Sequence, residues 1–388
     1  MIKYFFIALL FLFSVIFYSC SDDPSSVGSR LLEQDYLNVD TLSSSDGAFE
    51  QTSSYFKKVI SLGNSSRLLI GKKDDLIART LISFVFLIPD SLKTDFNEGT
   101  VTIDTAIIEI FPNYVYVDSL ASFDFTAHKI LSAWSSSGFS ADSFSTLQYE
   151  PDNIILNKSF LDSVYQLRVS TQLAREWVDY AMNPDSLTNY GILISPDATT
   201  GKILGFEAFD PFTELDSRIK LIISKQGSYT DTLIGFVASD ISFVEGEEPV
   251  EDEYMLVQSS LTLNSKLHFD LSSIPPNVVI NRATLVIQSD STKNVFGAPF
   301  ENSVIAYIIN DPDSNTVNSD LFIRLTGSGH SYSGEVTAMI RYWLNSNNYG
   351  MLLRSGSEQV GLELFYLYGS NALDVSKRPY LEIVYSYN

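Results

Sequence analysis

The sequence predicts an all-β protein made of two tandem antiparallel β-sandwiches, each carrying one short helix. Three observations predict it. A chain of 388 residues with 45% apolar and 19% charged content can bury more than one core, because single cores stop growing at roughly 250 residues. Its 21 Tyr and 26 Phe fall in short apolar stretches broken by Asp, Asn, Ser, Gly and Pro, the pattern of half-buried strands between turns. The chain also repeats itself: "TNYGILIS" (Thr188 to Ser195) returns as "NNYGMLLR" (Asn347 to Arg354), and further pairs flank it in the same order. A collinear series of matches marks an internal duplication.

The N-terminus, "MIKYFFIALLFLFSVIFYSC", places Lys3 before an apolar run from Tyr4 to Tyr18, with Ser19 ahead of Cys20. This is the layout of an export signal over residues 1–19. The run is shorter than the ~20 residues that a membrane-crossing helix needs; an uncleaved anchor is the alternative. Cys20 is the only cysteine, so it forms no internal disulfide, and its setting resembles the lipobox of bacterial lipoproteins. That resemblance implies a thiol carrying a diacylglyceryl group and a protein held on a membrane through its lipid anchor, each buried methylene contributing about 0.8 kcal/mol. The following "SDDP" (Ser21 to Pro24) resembles the acidic tag that sends some lipoproteins to the outer face of the outer membrane. A plain polar tether over residues 20–35, with periplasmic placement, is the other reading.

The first sandwich is expected over residues 36–225 and the second over 229–388, joined at "KQGSY" (Lys225 to Tyr229). Both open with Asp-Thr-Leu, at Asp40 to Leu42 and Asp231 to Leu233. "RTLISFVFLIP" (Arg79 to Pro89) then matches "SKLHFDLSSIP" (Ser265 to Pro275), where proline ends a strand because it cannot donate to the ladder. "IDTAIIEIF" (Ile103 to Phe111) matches "INRATLVIQ" (Ile280 to Gln288) as a strand of small and β-branched residues. Leu173, Trp177 and Ala181, spaced four apart, predict a helix, as Met339 and Trp343 do later. Thr171 and Thr337 are the expected N-caps. Gly191 and Gly350 allow the backbone angles of a turn into the next strand, so the Asn-Tyr-Gly phrase marks one corner twice. "GFEAF" (Gly205 to Phe209) against "GLELF" (Gly361 to Phe365) and "RIKLII" (Arg218 to Ile223) against "RPYLEI" (Arg378 to Ile383) complete the series.

Twenty-five bases against 47 acids give a net charge of −22. A charge of that sign repels phosphate backbones, so nucleic acid is not an expected partner. Six carboxylates crowd "EGEEPVEDE" (Glu245 to Glu253), read as a solvated loop. Three histidines, His128, His268 and His330, leave little material for a zinc site or a hydrolytic triad, and there is no GxSxG, GxGxxG or phosphate loop. The chain reads as non-catalytic. A hydrolase working through two carboxylates is the enzymatic alternative.

"LHFDLSSIPPNVVINRATLVI", Thr-x5-Trp, Asn-Tyr-Gly-apolar, Gly-x-x-x-Phe and "KRPYLEIVY", together with "LGNSSRLLIG" and "AWSSSG" in the first half, resemble the DNRLRE-type domain over most of the chain. That family contains carbohydrate-binding modules. The resemblance implies that the sandwiches are jelly-roll-like and that the ligand class is glycan or polysaccharide. Sugar recognition by such modules uses aromatic faces, and the aromatic candidates are Trp134 in a polar loop, Tyr114 with Tyr116, and Tyr366 with Tyr368, each pair alternating along one strand. Core packing is the alternative for each. "DPDSN" offers Asp311, Asp313 and Asn315 as oxygen ligands for calcium, or as a plain turn. Against the glycan reading stands a structural role, in which the modules serve assembly with other envelope proteins and take no small ligand.

Overall fold

The computed structural model describes residues 38–117, 120–209 and 217–387. Residues 1–19, Cys20 and the tether 20–35 lie outside the described residues. The fold is all-β, with two antiparallel sheets. In chain order, β1 (Asn38–Ser43) and β2 (Gln51–Lys57) come first and belong to the second sheet. The first sheet follows: β3 (Arg67–Lys73), β4 (Leu76–Phe86), β5 (Val101–Ile110), β6 (Pro112–Tyr116), β7 (Phe125–Lys129), β8 (Ile155–Leu161), β9 (Val164–Val169), β10 (Ile192–Pro196), β11 (Ile203–Glu207), β12 (Arg218–Lys225) and β13 (Tyr229–Glu245). Helix α1 (Asp90–Asn97) precedes β5 and α2 (Thr171–Met182) precedes β10. The second sheet resumes with β14 (Tyr254–Gln258), β15 (Leu263–Phe269) and β16 (Val279–Gln288). The short β17 (Gly297–Ala298) crosses back to pair with β6. β18 (Ser303–Asp311), β19 (Thr316–Ser328), β20 (Ser331–Glu335), α3 (Thr337–Trp343), β21 (Met351–Ser355), β22 (Leu364–Tyr368) and β23 (Tyr380–Tyr387) complete the fold.

The halves of the sequence and the two sheets do not coincide. "KQGSY" is a hairpin turn inside the first sheet: Ser228 donates its N–H to the Lys225 carbonyl at 2.9 Å, Gly227 has φ 70, and the chain folds β13 straight back onto β12. Leu233 thereby stands opposite Leu221. The matching Asp-Thr-Leu of the first half, on β1, pairs with the last strand of the second half, placing Leu42 opposite Ile383. β13 runs on to pair with β4, and β2 likewise pairs with β15. Each opening strand therefore completes the sheet built by the other half.

Pairing also corrects the internal alignment. Ile192 stands opposite Ile82 and Met351 opposite Leu267, so Ile82 corresponds to Leu267, one residue away from the match made on the prolines. A one-residue slip sends every side chain to the opposite face. In the structural register Ile82 and Phe84 face one core just as Leu267 and Phe269 face the other. "GFEAF" and "GLELF" are not equivalent either: Gly205 lies within β11, whereas Gly361 precedes β22.

The glycine corners are as expected. Gly191 has φ 80 and Gly350 φ 82, and a Cβ would lie 2.1 Å from the Ile82 carbonyl oxygen at the first and 2.7 Å from that of Leu267 at the second. Asn189 and Asn348 each accept the glycine N–H two residues on and donate back to Phe84 and Phe269. Trp177 and Trp343 are core residues, at 3% and 6% exposure. The caps differ from expectation. Ser170 caps α2 by accepting the Leu173 N–H, and Thr171 is the first helical residue. Thr337 turns its hydroxyl to the sheet, accepting from the Ala283 N–H and donating to Glu335. The first half holds a second α-helix, α1, seated by the buried Phe96 beneath the Arg175 guanidinium.

Candidate functional site

Where the sheets meet, a third apolar cluster joins Leu69, Leu76, Ala78, Tyr114, Tyr116, Ile203 and Val244 of the first to Leu261 and Leu362 beside the second. A polar seam runs through it. Tyr114 donates its hydroxyl to Glu363 Oε1 at 2.9 Å and accepts the Leu362 N–H at 3.1 Å. Arg67 spans the same seam, with Nε on Asn113 Oδ1, Nη1 on the Val360 carbonyl and its guanidinium 4.4 Å above the Tyr114 ring. Glu363 is only 1% exposed, and its Oε2 has no hydrogen-bond partner. Burial lowers the Arg67 pKa, opposed by Tyr114 and Glu363. Burial, then the Glu363 charge, holds the Tyr114 phenol far above its ordinary range. The phenol of Tyr114 therefore stays a neutral donor as it fastens the two strand faces.

Directly above this seam lies a cleft of about 380 Å³, walled by Tyr116 and Val117 from the first sheet and by Gln258, Leu364 and Tyr366 from the second. The β3–β4 turn supplies Lys73, Asp74 and Asp75, and the β13–β14 loop supplies Glu247. That turn is tight because Asp74 takes φ 54, a left-handed angle that Asp tolerates better than most residues. The loop is tied to it where Glu247 donates its N–H to Asp75 Oδ2 at 2.9 Å. Lys73 pairs with Asp74 at 3.1 Å. The Tyr116 phenol is pushed well above its ordinary value by burial first, then by Glu363, Asp74, Asp75 and Tyr366, so it stays a neutral hydrogen-bond donor. Tyr116 and Gln258, 3% and 2% exposed, close the floor of the cleft, so what it offers a ligand is the half-buried Tyr366 ring beside the exposed carboxylates of Asp74, Asp75 and Glu247 at the rim.

Behind Tyr366 the protein packs a cation of its own. Lys293 Nζ lies 4.6 Å from the Tyr254 ring centroid and 5.3 Å from that of Tyr366, held by Glu251 Oε1 at 2.8 Å, while Tyr254 donates to Asp290 at 2.9 Å. The Glu251 hydrogen bond raises the Lys293 pKa, so the ammonium remains charged.

The aromatic candidates of the sequence divide here. Tyr116 and Tyr366, from opposite halves, come together in the cleft. Tyr114 lies beneath it in the seam. Tyr368 is 9% exposed, its ring tilted against that of Tyr254 at 5.1 Å, and it accepts from Lys377 at 3.1 Å. Trp134 is half-buried on the far side of the first sheet, packed on the cluster that contains Leu81 and Phe243, with its indole N–H donated to the Tyr190 carbonyl at 2.7 Å. Asp311, Asp313 and Asn315 form the β18–β19 turn, where Asp311 accepts from the Asp313 N–H and the Ser314 hydroxyl. Hydrogen bonding lowers the Asp311 pKa, and both of its oxygens serve the turn. Among the described residues no group of three His, Cys, Asp or Glu side chains is placed to hold a metal ion. Asp75, Glu247, Gln258 and Lys293 were not visible as site residues in the sequence; the acidic run from Glu245 was the one signal pointing toward them. Comparison with family models, with curated proteins and with solved structures returns no match.

Proposed function

We propose that this is a non-catalytic lipoprotein of the outer membrane, anchored through Cys20, whose two jelly-roll-like β-sandwiches bind a glycan in the cleft between them. The single observation that carries the reading is that Tyr116 and Tyr366, remote in sequence, line one cavity together with Asp75, Glu247 and Gln258. The half-buried Tyr366 ring is the face for the apolar side of a pyranose, and the exposed carboxylates of Asp75 and Glu247 accept from its hydroxyls. A panel of oligosaccharides tested against the folded protein checks it: Tyr366→Ala is expected to weaken the bound sugar about tenfold, the equivalent of roughly one stacked aromatic. A folded protein that binds no member of the panel refutes it. The anchor is tested separately, by mass spectrometry of the mature N-terminus and by release of a Cys20→Ser variant from membranes. A structural role in envelope assembly is favoured instead by the buried seam of Arg67, Tyr114 and Glu363, which fixes the two units to one another without a ligand.

A further inference from the structure

We infer that this protein is itself a glycan acceptor: after export, a sugar is attached to exposed Ser and Thr hydroxyls that stand in a recurring phrase, Asp-Ser/Thr-aliphatic. The inference is independent of the cleft and shares with the reading above only the export signal. The phrase occurs seven times, beginning at Asp40, Asp90, Asp104, Asp118, Asp162, Asp185 and Asp231. Aspartate is followed by Ser or Thr eleven times in the chain, whereas none of the 18 glutamates is. The phrases at Asp40 and Asp231 match through the internal duplication; the other five are not repeated across the halves.

Six of the seven hydroxyls fall within the described residues. Thr41, Thr105 and Thr232 are in β1, β5 and β13, Ser91 is in α1, Ser163 takes φ 64 in the β8–β9 turn, and Ser186 lies in the turn after α2. A phrase kept for one local structure would recur in one backbone setting; this one occurs in strand, helix and turn. What the six share is access. Five belong to exposed residues and Thr105 to a half-buried one, and no hydroxyl among them is hydrogen-bonded to a described residue. Four other Asp-Ser pairs lack the aliphatic residue, and in three the hydroxyl is engaged. Ser143 accepts the Ser140 N–H at 3.3 Å, Ser217 donates to the Glu207 carbonyl at 3.1 Å and Ser314 donates to Asp311 at 2.7 Å. The hydroxyls of the phrase are thus the ones left available for chemistry.

Carboxylate, hydroxyl and aliphatic side chain in succession are three different chemistries that an enzyme can read from an extended peptide through separate pockets. Charge selects the group transferred. A phosphate would place close to two negative charges beside each aspartate, in a chain already at −22, whereas a neutral sugar adds none. In the transfer, the Ser or Thr Oγ attacks the anomeric carbon of a glycosyl phosphate donor. The Oγ–C bond forms, the bond from that carbon to the phosphate oxygen breaks with its electron pair leaving on the phosphate, and the hydroxyl proton passes to a base of the transferase.

The test is mass spectrometry of the full chain exported by its own cells, intact and as peptides. Peptides carrying Thr41, Ser91, Ser163, Ser186 and Thr232 are expected to bear hexose-containing adducts. The peptide with Ser314, exposed but followed by Asn315, is expected to be bare. A chain made without residues 1–19 and kept in the cytoplasm should be bare throughout. Asp185→Glu and Leu187→Asn alter exposed side chains of a loop, and each should abolish the sugar on Ser186 while the other four sites keep theirs, which shows that the variant is still made and exported. Sugar on Ser314 to the same extent, or on Ser186 in either variant, means that the phrase is not read and overturns the inference. Phosphate on these hydroxyls overturns it too, as does sugar on the cytoplasmic chain. A chain processed at Cys20 yet bare at all five sites overturns the inference alone; one that keeps residues 1–19 and is bare removes the export reading with it.

Discussion

Phe49 lies in the first half of the sequence, yet its ring is 4% exposed in the core of the second sheet, among Met255, Leu267, Phe269 and Leu381. Phe49→Ala should therefore destabilise the unit built mainly from residues beyond 250. Truncating a buried phenylalanine costs about 3–5 kcal/mol, because transfer energy is lost and a cavity remains. Where two units open separately, that cost falls on the amides of one of them. Hydrogen exchange followed by mass spectrometry resolves it peptide by peptide. Peptides from β15, β16 and β23 are expected to exchange about two to three and a half orders of magnitude faster, and peptides from β4, β5 and β12 to be unchanged. The mirror experiment is Leu233→Ala: this residue lies in the second half of the sequence but in the first core, at 8% exposure. It should cost about 2–5 kcal/mol there and spare the second sheet. If Phe49→Ala accelerates exchange in β4 and β5 while β23 stays protected, the crossing of the opening strands is refuted. Uniform acceleration everywhere would refute the separateness of the two cores.

Gly191→Ala should be the more damaging of the two corner substitutions. Both sites need a positive φ, which costs an alanine about 1 kcal/mol, but the new Cβ would sit at 2.1 Å from a carbonyl at Gly191 and 2.7 Å at Gly350; urea titrations of the two variants should rank them in that order. Glu109 gives a pH-dependent prediction. Its carboxylate is 5% exposed and accepts from Arg218 Nε at 2.7 Å and Lys220 Nζ at 2.8 Å. Burial raises its pKa, but the bonds from Lys220 and Arg218 prevail and the net shift is downward from 4.5. A depressed folded pKa means stabilisation that is present above the unfolded value and lost as pH falls through the folded one. Stability of the first unit should thus decline below about pH 4.5. Glu109→Gln should cost about 2 kcal/mol at pH 7 and flatten that acid limb; an unchanged limb would show that other carboxylates set it.

Features decided within a few residues were legible in the sequence. The Asn-Tyr-Gly corners follow from glycine's access to positive φ and from an asparagine that bonds the backbone two residues on, both local matters. The Trp177 and Trp343 helices follow from four-residue spacing, and the strands from short apolar runs between turn formers. The caps were misassigned because Ser170 and Thr171 are equally good chemistry one residue apart, and only the sheet claims the Thr337 hydroxyl.

Partnership between distant strands was decided by the tertiary structure. The Asp-Thr-Leu strand fits the last strand of either half equally well by pattern. The tight turn at Gly227 commits β13 to β12, and β1 lies instead along β23. Period-two alternation cannot report a one-residue slip between two apolar strands, so the true register of Ile82 with Leu267 emerged only from their neighbours. The cleft needed both: Tyr116 and Tyr366 were visible as alternating aromatics, but their meeting, and the acids that join them, depends on how the two sheets press together. Local chemistry writes strands, turns and helices into a chain; which edges remain free to pair is a property of the whole.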